Sequence, residues 1–536
     1  MVAGFHLPRL PTLADRCKSM TELKQIQAQL TTLGLAGDSF LVSKLLLFSA
    51  VSDSGDLGYS HCIFLTLPSP RTFIYNTLIR GHSRSTNPNR ALSLYVQMLR
   101  AGAPPDHLTF PFLAKSCARL TSPLLGRAIH CHISKIGLGL DLYILNSLIH
   151  MYASCGQMPA AHKVFDEIPL PNLVSRNALV DGFAKCEDLM TARQVFDRMP
   201  ERDVVSWSAM IDGYVKGGDA RSALNLFEKM QVCGPRANEV TMVSLLCACA
   251  HLGVLEKGRG LHQYIKANGL GMTLAVATSL VDMYAKCGSI GEAMEVFLSF
   301  PGQKADVLMW NAVIGGLAMQ GMSRDSIEMF RQMVRIGIKP DEITYLVLLS
   351  ACAHGGYVVE AWEFFRLIQA QGMALHAEHY TCMVDVLGRA GRVEEICELV
   401  MGLTMEPSGA FYGALLCACQ SHGWVELGEV VGRKLVELEP EHDGRYVGLS
   451  NLLAVRRRWE EAKRTREEME KRGVRKAPGQ SEIEVAGRLH GFIAGDRCHP
   501  ESAQLYWMLT CLTKQMKMEV DGSILDSDFS RSRVYS

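Results

Sequence analysis

A phenylalanine recurs at Phe165, Phe196, Phe227, Phe297 and Phe330, with separations of 31, 31, 70 and 33 residues, and no other feature constrains the fold as much. Ala161, Ala192, Ala223 and Ala293 lie four residues before four of these rings. A glycine column, Gly156, Gly218, Gly253, Gly288, Gly321, Gly356, Gly391 and Gly423, marks the middle of each unit. The unit is therefore 31 to 35 residues long, and the units abut without linkers. A period of this size signals an array of small structural units. Length alone would suggest several domains for 536 residues. In an array each unit packs only on its neighbours, so no single core has to grow.

The unit at 307–341 shows what is repeated. Trp310, Val313, Ile314 and Leu317 follow helical spacing. Gly321 breaks that helix, and Ile327, Phe330 and Met333 form the apolar stripe of a second one. The stretch from Gly337 to Pro340 ends it. Each unit is thus a helical hairpin too small to bury its own apolar face, and stacking buries a continuous seam. The expected fold class is all-α, an α-solenoid of helix-turn-helix repeats. The units parse as 39–71, 72–106, 107–141, 142–172, 173–203, 204–238, 239–273, 274–306, 307–341, 342–376 and 377–408, with a worn first copy at 10–38. Two diverged units follow at 409–442 and 443–476.

The chain carries 55 Lys plus Arg against 55 Asp plus Glu. A protein that held nucleic acid mainly by neutralising phosphates would carry a basic excess. If RNA is the ligand, base readout must supply much of the recognition. No stretch approaches 18 consecutive apolar residues, so no membrane span is expected. The seventeen cysteines contain no C-x-x-C spacing. Cys155, Cys186 and Cys287 share one repeat column, and Cys117, Cys249, Cys352 and Cys419 another, which favours packing over metal ligation. The first residues have no acid before Asp15 and carry Arg9, Arg16 and Lys18, compatible with an organelle transit peptide whose remnant is placed at 1–9.

The tetratricopeptide pattern W-x2-L-G-x2-Y is absent. The units instead read YNTLIRGHSR…ALSLYVQMLRAGAPPD, NALVDGFAKC…ARQVFDRMPERD and WNAVIGGLAMQG…MFRQMVRIGIKPD. These resemble the pentatricopeptide repeats of land plants. Units of 35 residues are followed by 35-residue units with a different second helix, such as LLGRAIHCHISKIG, and then by units of 31 to 33 residues. That alternation resembles the P-L-S triplets of the subfamily involved in organellar RNA editing. The resemblance covers roughly residues 10 to 512 and implies a right-handed superhelix that binds single-stranded RNA, with about one base per repeat.

The resemblance further implies that the fifth and last residues of a repeat meet the base edge, while an apolar second residue packs on the base faces. Asn76 with Asp106, Asn177 with Asp203 and Asn311 with Asp341 then resemble uracil readers. Asn146 with Asn172 resembles a pyrimidine reader, Ser208 with Asn238 an adenine reader, and Thr278 with Asp306 a guanine reader. These short side chains carry the donors and acceptors that a base edge requires. The L-type pairs Pro111/Asp141, Val243/Thr273 and Leu346/His376 imply little discrimination, and Ser43/Arg71 and Thr381/Ser408 stay open. The expected target is 5′-N-U-N-Y-U-A-N-G-U-N-N-3′, with the edited cytidine about four nucleotides further on. A plainer role competes, because Asp106, Asp203 and Asp341 are also good helix N-caps.

Residues 409–476 resemble the family's E1 and E2 motifs, and 477–512 its E+ extension, with Glu482 where the family carries Trp. Residues 513–536 are expected to be an irregular tail. His499-Pro500-Glu501 matches H-x-E, but its P-C-x-x-C counterpart is absent, so a zinc deaminase centre would lack its thiolates. His130, Cys131 and His132 diverge around a helix and cannot converge on one metal. No cofactor is therefore assigned, and the chain is not expected to be an enzyme. The resemblance implies that a DYW-type deaminase acts in trans, with multiple organellar RNA editing factors gripping the L-type units. A mitochondrial location is expected from the E+ class, with the chloroplast as the alternative.

Overall fold

Twin helices separated by a left-handed residue build almost everything in the chain. The computed structural model describes residues 17–300, 305–403, 405–485, 488–494 and 497–531. The transit-peptide remnant at 1–9 lies outside them. In one hairpin, helix Leu173–Lys185 is capped by Asn172, whose side chain accepts from Ser175 N, and helix Leu189–Asp197 by Asp188, which accepts from Thr191 N. Leu179, Val180 and Phe183 face inward from the first helix, and Ala192 and Phe196 from the second.

The fifteenth position of each unit explains the glycine column. Gly156, Gly218, Gly253, Gly288, Gly321, Gly356, Gly391 and Gly423 all hold positive φ, between 67° and 84°. Glycine ends a helix there without steric cost. Three units place Thr121, Glu187 or Arg457 at that position, and these are the non-glycine residues with positive φ among the described residues.

The phenylalanine column joins hairpins. Phe196 meets the edge of Trp207 in the next unit at 5.1 Å between centroids, Phe297 meets Trp310 at 4.8 Å, and Phe330 meets Tyr345 at 5.9 Å. Where the partner position is Arg176, its guanidinium lies over Phe165 instead, at 5.9 Å. Such pairs add about 0.5–1.5 kcal/mol to the burial of the rings.

Contacts divide the chain into two units, Met1–Ala248 and Cys249–Ser536. Within the first, helices Ser39–Val51, Thr72–Arg84, Thr109–Arg119, Leu142–Ser154, Leu173–Lys185 and Val204–Lys216 pack side by side, each also on its own second helix. Within the second, Leu274–Lys286, Val307–Met319, Glu342–Gly355, Ala377–Arg389 and Gly409–His422 form a like row. Cys117, Cys249, Cys352 and Cys419 are fully buried in these seams. Burial pushes the Cys117 thiol up to about 11 and the Cys249 thiol to about 12, so both stay protonated.

The C-terminal region departs from an all-helical expectation. Strands Gln480–Val485 and Arg488–Ile493 pair antiparallel, Ser481 opposite Phe492 and Ile483 opposite His490. Glu484 of this hairpin reaches back to helix Leu255–Ala267, accepting from Glu256 N at 3.1 Å. Residues 513–531, expected to be irregular, continue helix Ser502–Arg531. No proline interrupts that segment, and its Gly522 costs a helix only about 1 kcal/mol. No helix among the described residues is long and apolar enough to cross a membrane.

Candidate nucleic-acid interface

In nine of the hairpins an outward apolar residue stands at the start of the first helix. The second residues Phe40, Phe73, Leu108, Tyr143, Val174, Val205, Val240, Leu308 and Ile343 stay 42–59% exposed. No packing demand explains apolar side chains left in water at one register of successive helices. They offer the flat apolar surface on which a base face can lie.

Beside them, fifth and last residues meet across the hairpin boundary. Asn76 Nδ2 donates to Asp106 Oδ1 at 2.8 Å, Asn177 Nδ2 to Asp203 Oδ1 at 3.1 Å, and Asn311 Nδ2 to Asp341 Oδ1 at 3.0 Å. The same aspartate oxygens accept backbone N–H groups of the following helix: Thr109 N at 3.1 Å, Ser206 N at 2.9 Å and Thr344 N at 2.8 Å. Capping and pairing are therefore one arrangement, because the cap is what holds the carboxylate in place. In each of these carboxylates the cluster contacts run through Oδ1.

A third residue closes the cluster, and it is absent from the pairs read in the sequence. The hydroxyl three positions after the aspartate donates to the asparagine carbonyl: Thr109 to Asn76 at 2.8 Å, Ser206 to Asn177 at 2.6 Å and Thr344 to Asn311 at 2.7 Å. The spacing Asp-x-x-Ser/Thr, a relative of the capping box, was the available signal. With both ends of its amide engaged, each asparagine is fixed in one flip state.

Two further pairs are bridged in the same way. The Ser175 hydroxyl lies 2.6 Å from Asn146 Oδ1 and 2.9 Å from Asn172 Oδ1. The Ser208 and Thr241 hydroxyls are 2.6 Å apart, and Asn238 Oδ1 accepts from Thr241 N at 3.0 Å and from Ser208 Oγ at 3.4 Å. The sixth pair is not brought together. Asp306 caps Met309 N at 3.1 Å, and Thr278 Oγ1 is buried without a hydrogen-bond partner among the described residues. Met309 stands where the other units carry a hydroxyl, so nothing links the two.

Burial pushes the Asp203 carboxyl up, but donation from Ser206 N, the Ser206 hydroxyl, the Asn177 amide and Val205 N outweighs it and holds the group below the usual aspartate range. Asp341 is lowered likewise, its burial outweighed by Asn311 and Thr344. At neutral pH both are acceptors only. In the L-type units the fifth residues Pro111, Val243 and Leu346 offer no side-chain hydrogen-bonding group.

Toward the C-terminus, His499 lies 3.3 Å from His490 Nδ1, and no group of three metal-ligating residues exists among the described residues. His130 pairs with Tyr152 and His132 with Tyr95, which spends the two histidines on packing.

Stacked hairpins that present exposed apolar residues at one register and fixed polar clusters in five of the units define a modular recognition protein. Comparison with known proteins gives the family. Residues 70–119, 202–251 and 305–354 match the PPR repeat family, 143–169, 174–204, 276–301, 343–373 and 378–403 match the PPR repeat, and 422–484 match the E motif. Pentatricopeptide repeat-containing protein At5g08305 of Arabidopsis thaliana is 49% identical over 510 residues, spanning 95% of this chain and 96% of that protein. The Arabidopsis proteins At2g22410, mitochondrial, and At1g08070, chloroplastic, are 37% and 36% identical, spanning 98% and 93% of this chain and 92% and 81% of their own lengths. The chain belongs to the pentatricopeptide repeat family and carries its E motif. Maize PPR10 has a solved structure 18% identical to this chain, with a TM-score of 0.48, covering 86% of this chain and 78% of that one.

Proposed function

We propose that the chain recognises a short single-stranded RNA segment in an organelle and marks a nearby cytidine for conversion to uridine. The observation that carries this reading is the repeated cluster of asparagine, aspartate and hydroxyl beside an exposed apolar residue. Asn76/Asp106, Asn177/Asp203 and Asn311/Asp341 have one geometry in three separate units. Helix stability alone needs the aspartate cap and the hydroxyl; it does not need a buried asparagine amide. A base edge does, and the apolar second residue supplies its stacking surface. With no net charge on the chain, such contacts have to bear more of the affinity than phosphate neutralisation.

The E motif favours editing over simple coverage of the RNA. These 536 residues contain no P-C-x-x-C, so the reading assigns the chemistry, and its zinc, to a DYW-type deaminase acting in trans. Multiple organellar RNA editing factors would assist. Relatives named as mitochondrial and chloroplastic support an organelle, and the E+ resemblance favours the mitochondrion. The test is to sequence organelle transcripts from plants lacking the protein. One or a few cytidines downstream of 5′-N-U-N-Y-U-A-N-G-U-N-N-3′ should remain unedited. Intact editing with loss of a transcript or of its splicing would replace this reading by one of RNA stability or processing.

A further inference from the structure

In one unit a charged pair stands where the cluster would lie, and it has its own chemistry. Helix Gly409–His422 has glycine at its first and fifth positions, Gly409 and Gly413, one turn apart on the same face. In the six paired units described above, the fifth position holds an asparagine, serine or threonine. Here a Cβ on Gly413 would lie 3.1 Å from Arg445 Nη1, and one on Gly409 would collide with Glu439 Oε1. Arg445 is the third residue of helix Asp443–Val455, the register that Ser206 and Thr344 hold in their helices. The guanidinium thus fills the place of the asparagine amide.

Arg445 Nε donates to Glu439 Oε2 at 2.6 Å, and the two side chains remain 23% and 33% exposed. That bond spends one donor and leaves Nη1 and Nη2, a planar fork, without a hydrogen-bond partner among the described residues. An open cleft of about 660 Å³ lies against the pair, lined also by Leu438, Pro440, His442 and Asp443.

We propose that Arg445 and Glu439 form a further base-reading position, for the nucleotide next after the one facing unit 377–408. The inference rests on the reading that the array binds RNA at one base per unit. A guanidinium fork matches two adjacent acceptors, which cytosine presents at N3 and O2 and guanine at O6 and N7. Adenine and uracil interleave donors with acceptors and cannot satisfy the fork. Glu439 accepts from the donor beside those acceptors, the exocyclic amine N4 in cytosine or N1–H in guanine.

The experiment uses the full chain and four RNAs that share 5′-N-U-N-Y-U-A-N-G-U-N-N-3′ and differ only in the next base. Cytosine or guanine should bind at least about fivefold more tightly than adenine and uracil, and the two arms tell which of them is read. Arg445→Lys keeps the charge and removes the fork, so that preference should vanish while discrimination at the uracil facing Asn177 persists. Equal binding of all four RNAs by the unmodified chain with the Asn177 preference intact overturns the proposal, and a variant that binds all four RNAs more weakly by the same factor, with the base preference retained, reduces Arg445 to a phosphate contact. Loss of preference at every position in the unmodified chain overturns the array reading itself.

Discussion

Asn177 and Asp203 sit in different helical hairpins, yet the amide of one donates to the carboxylate of the other at 3.1 Å. The contact makes the proposed reading position a property of two neighbouring units. Changing both partners should therefore change the base, where changing one mainly loosens it. The double variant Asn177→Ser, Asp203→Asn reproduces the Ser208/Asn238 combination and should prefer adenine over uracil at that nucleotide. The expected reversal is about 1–3 kcal/mol, measured by titration against RNAs differing at the single base.

The Ser206 hydroxyl holds the Asn177 carbonyl at 2.6 Å, while Ser206 N caps onto Asp203. Ser206→Ala keeps the backbone cap and removes the hydroxyl. It should cost about 1 kcal/mol in urea denaturation and widen base tolerance opposite Asn177 without shifting tolerance opposite Asn311. An unchanged preference opposite Asn177 would show that the hydroxyl serves the helix end alone.

Glu187 holds φ 63° at the position where most units carry glycine. A left-handed conformation costs a residue with a Cβ about 1–2 kcal/mol. Glu187→Gly should raise stability by up to about 1 kcal/mol, read as a higher urea midpoint, and leave RNA binding unchanged. A lower midpoint would mean that the glutamate side chain contributes more than its backbone strain costs.

Asp203 and Asp341 titrate below the usual aspartate range when folded, held there by their donors against the opposing effect of burial. Their contribution to stability is complete above the unfolded value of about 3.9 and is lost as pH falls through the lower folded value. Urea midpoints followed downward from pH 7 should drop through the acid range. Asp203→Asn with Asp341→Asn should flatten that drop, and identical profiles would remove these two carboxylates from the acid transition.

The period of Phe165, Phe196 and Phe227 was enough to read the helical array, because each ring packs on a fixed position of the next unit and cannot drift. The glycine column was equally legible, since only a left-handed residue ends the first helix there. The reading pairs needed family resemblance, because Asp203 alone looks like any N-cap. Ser206 and Thr344 were overlooked because a serine or threonine inside the first turn of a helix is common and acquires meaning only when Asn177 or Asn311 arrives from the preceding hairpin. Arg445 was invisible for the same reason, as its place depends on the missing side chains of Gly409 and Gly413. The strands at 480–493 escaped because two short segments carry little period of their own, and the helix to Arg531 because it lies beyond the repeats.

Base reading by the array is tested most directly by gel-shift titration against two short RNAs, one carrying N-U-N-Y-U-A-N-G-U and one with its A and G exchanged. The account predicts tighter binding to the first by at least about tenfold, and an inverted preference when the whole pairs Ser208/Asn238 and Thr278/Asp306 are exchanged. Equal and weak binding to both RNAs, unmoved by that exchange, would contradict it.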